Sequence, residues 1–217
     1  MAYRKTNIRE ALLKRAAEII AESGIEALTF RGLARDLGVS HAAPSVHFAD
    51  RSALLVELAK DGLRRSSTAM DEAATQAAGQ GALAQFLARC HAFMQFAREN
   101  PAYFRAIYRH ETRAATDEEL HGLRQTWFDE QRAHVRRAQQ SGFFPDAETD
   151  ALLAATISFS LGSAALFSDP TWLELFGDSE PDTLAESMFA LGTGRPRELA
   201  RRSQPVPAEE GRETTNP

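Results

Sequence analysis

Residues 29–58 read TFRGLARDLGVSHAAPSVHFADRSALLVEL, and this stretch decides the fold. Phe30, Leu33, Ala34 and Leu37 recur at helical spacing, with Thr29 as an N-cap before them and Gly38 as a stop after them. Ser40 is the next N-cap candidate and opens a very short segment, His41 to Phe48. Asp50 then caps a longer helix with Leu54, Leu55, Leu58 and Leu63 on its apolar positions. Only Gly38-Val39-Ser40 separates the two short helices, the connection length of a helix-turn-helix. Ala34 is small where the helices approach, Gly38 can adopt the left-handed conformation of the turn, Val39 plugs the angle and Ser40 caps the second helix. Small polar residues and helix starts then face outward, which suits phosphate and base-edge contacts. Ala43 and Phe48 are expected in the core.

Upstream, Ile8, Leu12, Ala16, Ile19 and Ile20 share one helical face and Gly24 follows the last turn. Downstream, Gly79 and Gly81 break the chain, and a helix runs from about Ala82 to Glu99. Asn100-Pro101 stops it, and Pro101 can open the next. Asp117, Glu118 and Glu119 sit where acidic residues favour a helix start, with Gly142 beyond its end at Ser141. Further helices are expected over about Glu148 to Phe167, Trp172 to Phe176 and Pro181 to Leu191. No stretch alternates like a strand. The expected architecture is all-α with about nine helices: a three-helix reading head over residues 1–50, a larger helical body over 51–192, and a disordered tail over 193–217, which is rich in Pro, Arg and Glu.

The 217 residues carry a net charge of -5, but unevenly. Arg4, Lys5, Arg9, Lys14 and Arg15 face only Glu10 within the first fifteen, whereas residues 50–192 hold 13 basic and 21 acidic side chains. A basic end on an acidic body suggests that one end meets a polyanion. One cysteine, Cys90, precludes an internal disulfide and suits a reducing cytoplasm. The first residues, charged and helical, do not read as a secretory signal. The uncharged run Ala151 to Ser168 reads as a buried helix rather than a membrane span. Enzymatic signatures fail in context. Gly79-Gln80-Gly81 follows a helical stretch instead of a strand, and Glu118 with His121 lacks the second Glu-x-x-His of a di-iron bundle. No catalytic residue, metal or cofactor is expected.

Residues 8–58, from IREALLKRAAEIIAESG through the stretch quoted above, resemble the N-terminal domain of the tetracycline-repressor (TetR) family of bacterial transcription regulators. The shared features are the Ala-Ala of the first helix, Gly24, Thr29, Leu33-Ala34, Gly38-Val39-Ser40, His47-Phe48 and an Asp-Arg followed by Leu-Leu. The resemblance implies roles on double-stranded DNA. Arg4 and Lys5 would lie on an arm before the first helix, and Thr29 and Arg31 would meet phosphate. Ser40, His41, Ala42 and Ser45 would face the major groove, with His47 and Arg51 on the DNA backbone. Two positions depart from the family: Ser45 replaces a frequent tyrosine, and Pro44 interrupts the recognition helix as its fourth residue. With such small side chains, specificity would rest partly on thymine methyls and DNA shape.

The resemblance also implies a homodimer with reading heads about 34–36 Å apart on an approximate palindrome. Its surface would be Leu152, Ala155, Phe159, Gly162 and Leu166 with Leu184, Met188 and Leu191; the competing reading makes this run the monomer's own core. The body would hold a small apolar or aromatic effector among a subset of Phe93, Phe96, Phe104, Tyr108, Trp127, Phe128 and Phe159, with His91, Arg105, Arg109 and His110 as candidate polar anchors; the competing reading makes these rings, at their helical spacing, plain core. NPAYFRAIYRHE, residues 100–111, is similar to a subgroup whose C-terminal domain carries a Trp-His-Gly motif. The matching stretch, Ile157 to Gly162, keeps only the glycine. The implied protein is a ligand-released cytoplasmic repressor. An all-helical enzyme or binding protein that has lost its DNA contacts is the alternative.

Overall fold

A computed structural model describes residues 2–167 and residue 174, with side chains for residues 8–166 other than 113. Among the described residues there are nine α-helices and no strand, which makes the fold all-α. They are α1 (Ala2–Ser23), α2 (Phe30–Asp36), α3 (Ala43–His47), α4 (Arg51–Gln76), α5 (Ala82–Glu99), α6 (Pro101–Tyr108), α7 (His110–Arg113), α8 (Glu118–Gln140) and α9 (Thr149–Phe167).

Local chemistry sets most boundaries. Gly24 ends α1 at φ 80, and its N–H reaches the Ile20 carbonyl. The Thr29 hydroxyl accepts from the Gly32 N–H at 3.1 Å and starts α2. Gly38 then sits at φ 63. Around it, the Gly38 N–H donates to Arg35 O and the Val39 N–H to Ala34 O, the paired bonds of a Schellman stop. Asp50 caps α4 through Ala53 N at 2.8 Å, and Asp117 caps α8 through Leu120 N at 2.8 Å.

Three expectations need correction. The recognition helix starts at Ala43, with Ala42 and not Ser40 at its cap, so Pro44 is its second residue rather than its fourth. Pro44 has no N–H to give the Ser40 carbonyl, which instead accepts from Ala43 N at 2.9 Å in a tighter turn. At the amino end α1 already begins at Ala2, which puts Arg4 and Lys5 on its first turns and not on a preceding arm. Beyond Tyr108 the chain breaks at the extended Arg109 (ψ 146) before the short α7, which has no apolar periodicity to announce it. Residues 181–191 and the tail lie outside the described residues, as does the segment 172–176 apart from Glu174.

α4 is the spine. It packs against α1, α5, α6, α7 and α8. The core is continuous from Leu12, Ile20, Leu33 and Phe48 in the head through Leu54 and Leu58 to Phe93, Ile107 and Trp127 in the body. α4 and α6 approach closely at Gly62, where an added Cβ would lie 3.0 Å from Ile107 Cδ1 and 3.1 Å from Tyr103 Cβ. Gly62→Val is therefore expected to cost about 1–3 kcal/mol through overpacking, read as a lower urea midpoint. An unchanged midpoint would mean that α6 yields freely.

Candidate nucleic-acid interface

The head presents a surface built by one buried anchor row. Pro44 and Phe48 point inward, Phe48 at 3% exposure with the Arg9 guanidinium 5.4 Å over its ring. Their burial turns the opposite face of α3 and the turn before it to solvent: Ser40, His41, Ala42 and Ser45 are all exposed. Val46, which sequence reasoning passed over, is 67% exposed beside them. An apolar side chain held in water on a helix this short suits a thymine methyl.

Thr29 and Arg31 are exposed at the start of α2, and His47 is half-buried. Thr29, Arg31 and His41 line one hollow of about 540 Å³ together with Arg15, Ile19 and Ser23 of α1. The structure thus brings the expected phosphate contacts beside the reading turn. The Thr29 oxygen accepts the Gly32 N–H, which leaves its own hydrogen to donate outward. α1 and α2 are braced by Arg15, whose Nη2 lies 3.0 Å from Asp36 Oδ2. Hydrogen bonds from Arg15 and Arg35 hold the Asp36 carboxyl below its usual range. The side chains of Arg4 and Lys5 lie outside the described residues.

Arg51 faces inward. Its Nη2 donates to the Ile25 carbonyl at 2.9 Å and to Glu26 at 3.2 Å. The expected polar anchors Arg105 and Arg109 are likewise engaged elsewhere. Arg105 donates to Ile20 O at 2.8 Å, and Arg109 pairs with Glu26 and, at 2.8 Å, with Glu111. These three arginines fasten the head to α4 and to the α6–α7 corner. His110 is exposed and His91 half-buried.

A second fastening centres on Lys60, 4% exposed on α4. Its Nζ lies 2.9 Å from Glu57 Oε1, 3.0 Å from Asp117 Oδ2 and 2.9 Å from Glu119 Oε2. Burial pulls its pKa down, but the hydrogen bonds to Glu119, Glu57 and Asp117 outweigh that and raise it. Glu57 also pairs with Arg9 of α1, and Glu119 with Arg64. One chain of ions therefore spans α1, α4 and α8.

In the body, five of the seven expected effector residues form a row of touching rings. Tyr108 and Phe104 lie 4.9 Å apart, Phe104 and Phe93 6.2 Å, Phe93 and Trp127 5.8 Å, Trp127 and Phe128 5.2 Å. Phe128, at 44% exposure, marks the outer end, and Phe96 is buried in the same core. Phe159 is half-buried on α9. Burial pushes the Tyr108 hydroxyl up to about 12.

Sequence reasoning missed two buried polar residues here, Arg89 (1% exposed) and Gln131 (7%), whose Nε and Oε1 lie 3.4 Å apart. The signal was present. Arg89 interrupts the apolar stripe Phe86, Cys90, Phe93 of α5, and Gln131 falls one turn after Trp127 on α8. Burial, with Arg89 and Arg137 nearby, pulls His134 down to about 4, so it stays neutral through ordinary pH.

On α9 the expected dimer residues Ala155 and Gly162 are exposed, and Leu152, Phe159 and Leu166 are half-buried. Leu184, Met188 and Leu191 lie outside the described residues. Residues 149–166 have a mean hydropathy of 1.3, yet only 22% of them are buried. A helix that apolar leaves much of its surface uncovered.

Comparison with known proteins gives a consistent picture. Residues 12–58 match the family described as bacterial regulatory proteins, tetR family, and residues 86–191 match the tetracyclin repressor-like C-terminal domain. The Nucleoid occlusion factor SlmA of Idiomarina loihiensis is 34% identical over 115 residues, 49% of this chain and 54% of its own. The chain spans about half the length of the curated relatives it matches. Among solved structures, a protein of unknown function from Rhodococcus sp. RHA1 is 27% identical. It superposes with a TM-score of 0.73, covering 86% of this chain and 94% of that one. A bacterial regulatory protein in the tetR family from Rhodococcus RHA1 shares the fold at 19% identity, with a TM-score of 0.67 over 86% and 95% of the two chains.

Proposed function

The chain belongs to the tetR family of bacterial regulatory proteins, and on that premise we propose that it is a homodimeric cytoplasmic repressor, and not an enzyme, released from an approximately palindromic operator by a small apolar or aromatic effector. The observation that carries this reading is the outward face of the turn and α3. Ser40, His41, Ala42, Ser45 and Val46 are exposed together beside Thr29 and Arg31, on a scaffold whose own core does not need them. Ser40, His41, Ala42 and Ser45 read base edges, while Thr29, Arg31 and His47 hold phosphates, joined by Arg4 and Lys5 from the first turns of α1. Arg51, tied to Ile25 and Glu26 but 36% exposed, is a further contact to the DNA backbone.

The uncovered apolar surface of α9 supports pairing of two chains, with residues 181–191 completing the contact. An effector among the body's rings acts by population shift. It favours a spacing of the heads that misfits the operator, and DNA affinity falls by that difference alone. Residues 1–50 then form the reading head and 51–192 the body.

The test is fluorescence anisotropy with duplex from the gene's own upstream region across a salt series. Specific binding with a steep salt slope is expected. Arg31→Ala is expected to flatten that slope by about 1.8, two phosphate contacts per dimer at about 0.9 each. A slope unaffected by Arg31→Ala would remove that contact, and no binding to any duplex at low salt would sink the regulator reading.

A further inference from the structure

Among the described residues, three hydrogen-bond donors stand without an acceptor along the seam between α5 and α8: Arg89 Nη2, Gln131 Nε2 and Trp127 Nε1. All three side chains are more than nine-tenths buried. The two helices are in register there. Arg89 lies against Gln131, and Phe93, one turn on, lies against Trp127, one turn back. Buried polar groups are almost always paired, and an unpaired one is costly, so three donors on one seam mark a place where an acceptor belongs. The seam's side-chain acceptor Gln131 Oε1 is taken by Arg89 Nε, and Glu130 Oε2 of the preceding residue is buried without a donor. On α9, which packs against both helices, the Ser163 hydroxyl is buried and unpartnered as well.

We propose that this seam is the polar end of the effector site and that the effector is a small carboxylic acid with an apolar or aromatic body. Its carboxylate accepts from Arg89, Gln131 and Trp127, and its body lies along the rings of Phe93, Phe104 and Tyr108. The inference rests on the effector reading above and narrows it. A carboxylate fits best because it is acceptor-only, with two oxygens able to take several donors, and because bonds from a guanidinium are charge-assisted. Among the described residues Arg89 has one ion-pair partner, Asp71, whose side chain is 59% exposed, so water screens that countercharge while Nη2 stays dry. Burial, and then the charge of Asp71, push the Glu130 carboxyl above its usual range, against the opposing pull of Arg89. Access requires α9, which packs on both helices, to move off the seam.

The test uses the full chain with Trp172→Phe, so that Trp127 is the one remaining indole. Probes are 4-phenylbutyrate and the straight-chain carboxylates from butyrate to dodecanoate, each beside its alcohol, followed through the Trp127 indole N–H resonance. At least one acid is expected to shift that signal and to bind about tenfold or more tighter than its alcohol. Gln131→Leu is expected to weaken that acid about tenfold and leave the alcohol within about twofold. The proposal is overturned if no acid moves the indole signal, if alcohols bind as tightly as acids, or if Gln131→Leu leaves acid affinity unchanged. Operator binding measured on the same samples separates the two claims. Acids that bind without releasing DNA would sink the effector reading and keep the site, whereas release by alcohols alone would sink the site and keep the effector reading.

Discussion

Ser45→Asp is expected to abolish operator binding while leaving the fold untouched. Ser45 is exposed on α3, opposite the buried Pro44 and Phe48 that anchor the helix, so nothing in the core senses the change. In the groove, however, the new carboxylate faces a wall of phosphates. A like charge brought into an interface costs several kcal/mol, and a dimer carries the substitution in both heads. A loss of at least about a hundredfold in affinity should result, measured by anisotropy at fixed salt, with a thermal midpoint within a degree or two of the parent. Retained affinity would mean that α3 does not enter the groove. A collapsed midpoint would mean that Ser45 belongs to the scaffold.

Lys60→Met should have the largest effect on stability. The ammonium is buried between three carboxylates, and its removal leaves them facing one another across α4 and the start of α8. A fully buried broken pair costs about 3–5 kcal/mol. Here the carboxylates retain between a quarter and more than half of their exposure, so about 2–3 kcal/mol is the expected loss at pH 7.

The pH dependence carries a sign. The Leu120 N–H and then Lys60 hold the Asp117 carboxyl below its usual range, and Lys60 does the same for Glu119. A depressed carboxylate stabilises the fold above its unfolded pKa, near 4, and that stability drains away as pH falls through the lower folded value. Lys60 is raised, so its contribution is whole below about 10.5 and is lost only as pH climbs beyond that. The gap between parent and variant should therefore be widest between about pH 5 and 10 and should narrow towards pH 3. Urea titrations at pH 7, 5 and 3 measure it. Parallel curves at all three values would show that the network contributes nothing.

Legibility in the sequence tracks the range of each interaction. Thr29, Gly38 and Asp50 act on backbone groups within a few residues of themselves, and each does what its type and position predict. The start of α3 departs from expectation because a second local effect competes. Pro44 lacks the N–H that Ser40 would have used, so the turn closes one residue early and the helix begins late. Arg51, Arg105 and Arg109 depart for a different reason. Each has a reach that suits DNA or ligand equally well, and apart from the Arg109–Glu111 pair their partners lie 25 to 85 residues away in the chain. The aromatic row is legible as composition, but its order becomes visible only when α5, α6 and α8 are seen to share one core. Arg89 and Gln131 are legible in principle, as polar residues standing on apolar stripes.

Cys90 is the chain's single thiol, and burial pushes it up to about 12. Maleimides react with thiolates that they can reach, and this one is neither ionised nor accessible. The native protein thus comes with a silent background for site-specific labelling. A cysteine introduced at Ser40 would be the one reactive handle on each head, and a spin label or dye pair placed there would serve as a ruler for the distance between the two halves of a dimer, read with and without a bound acid.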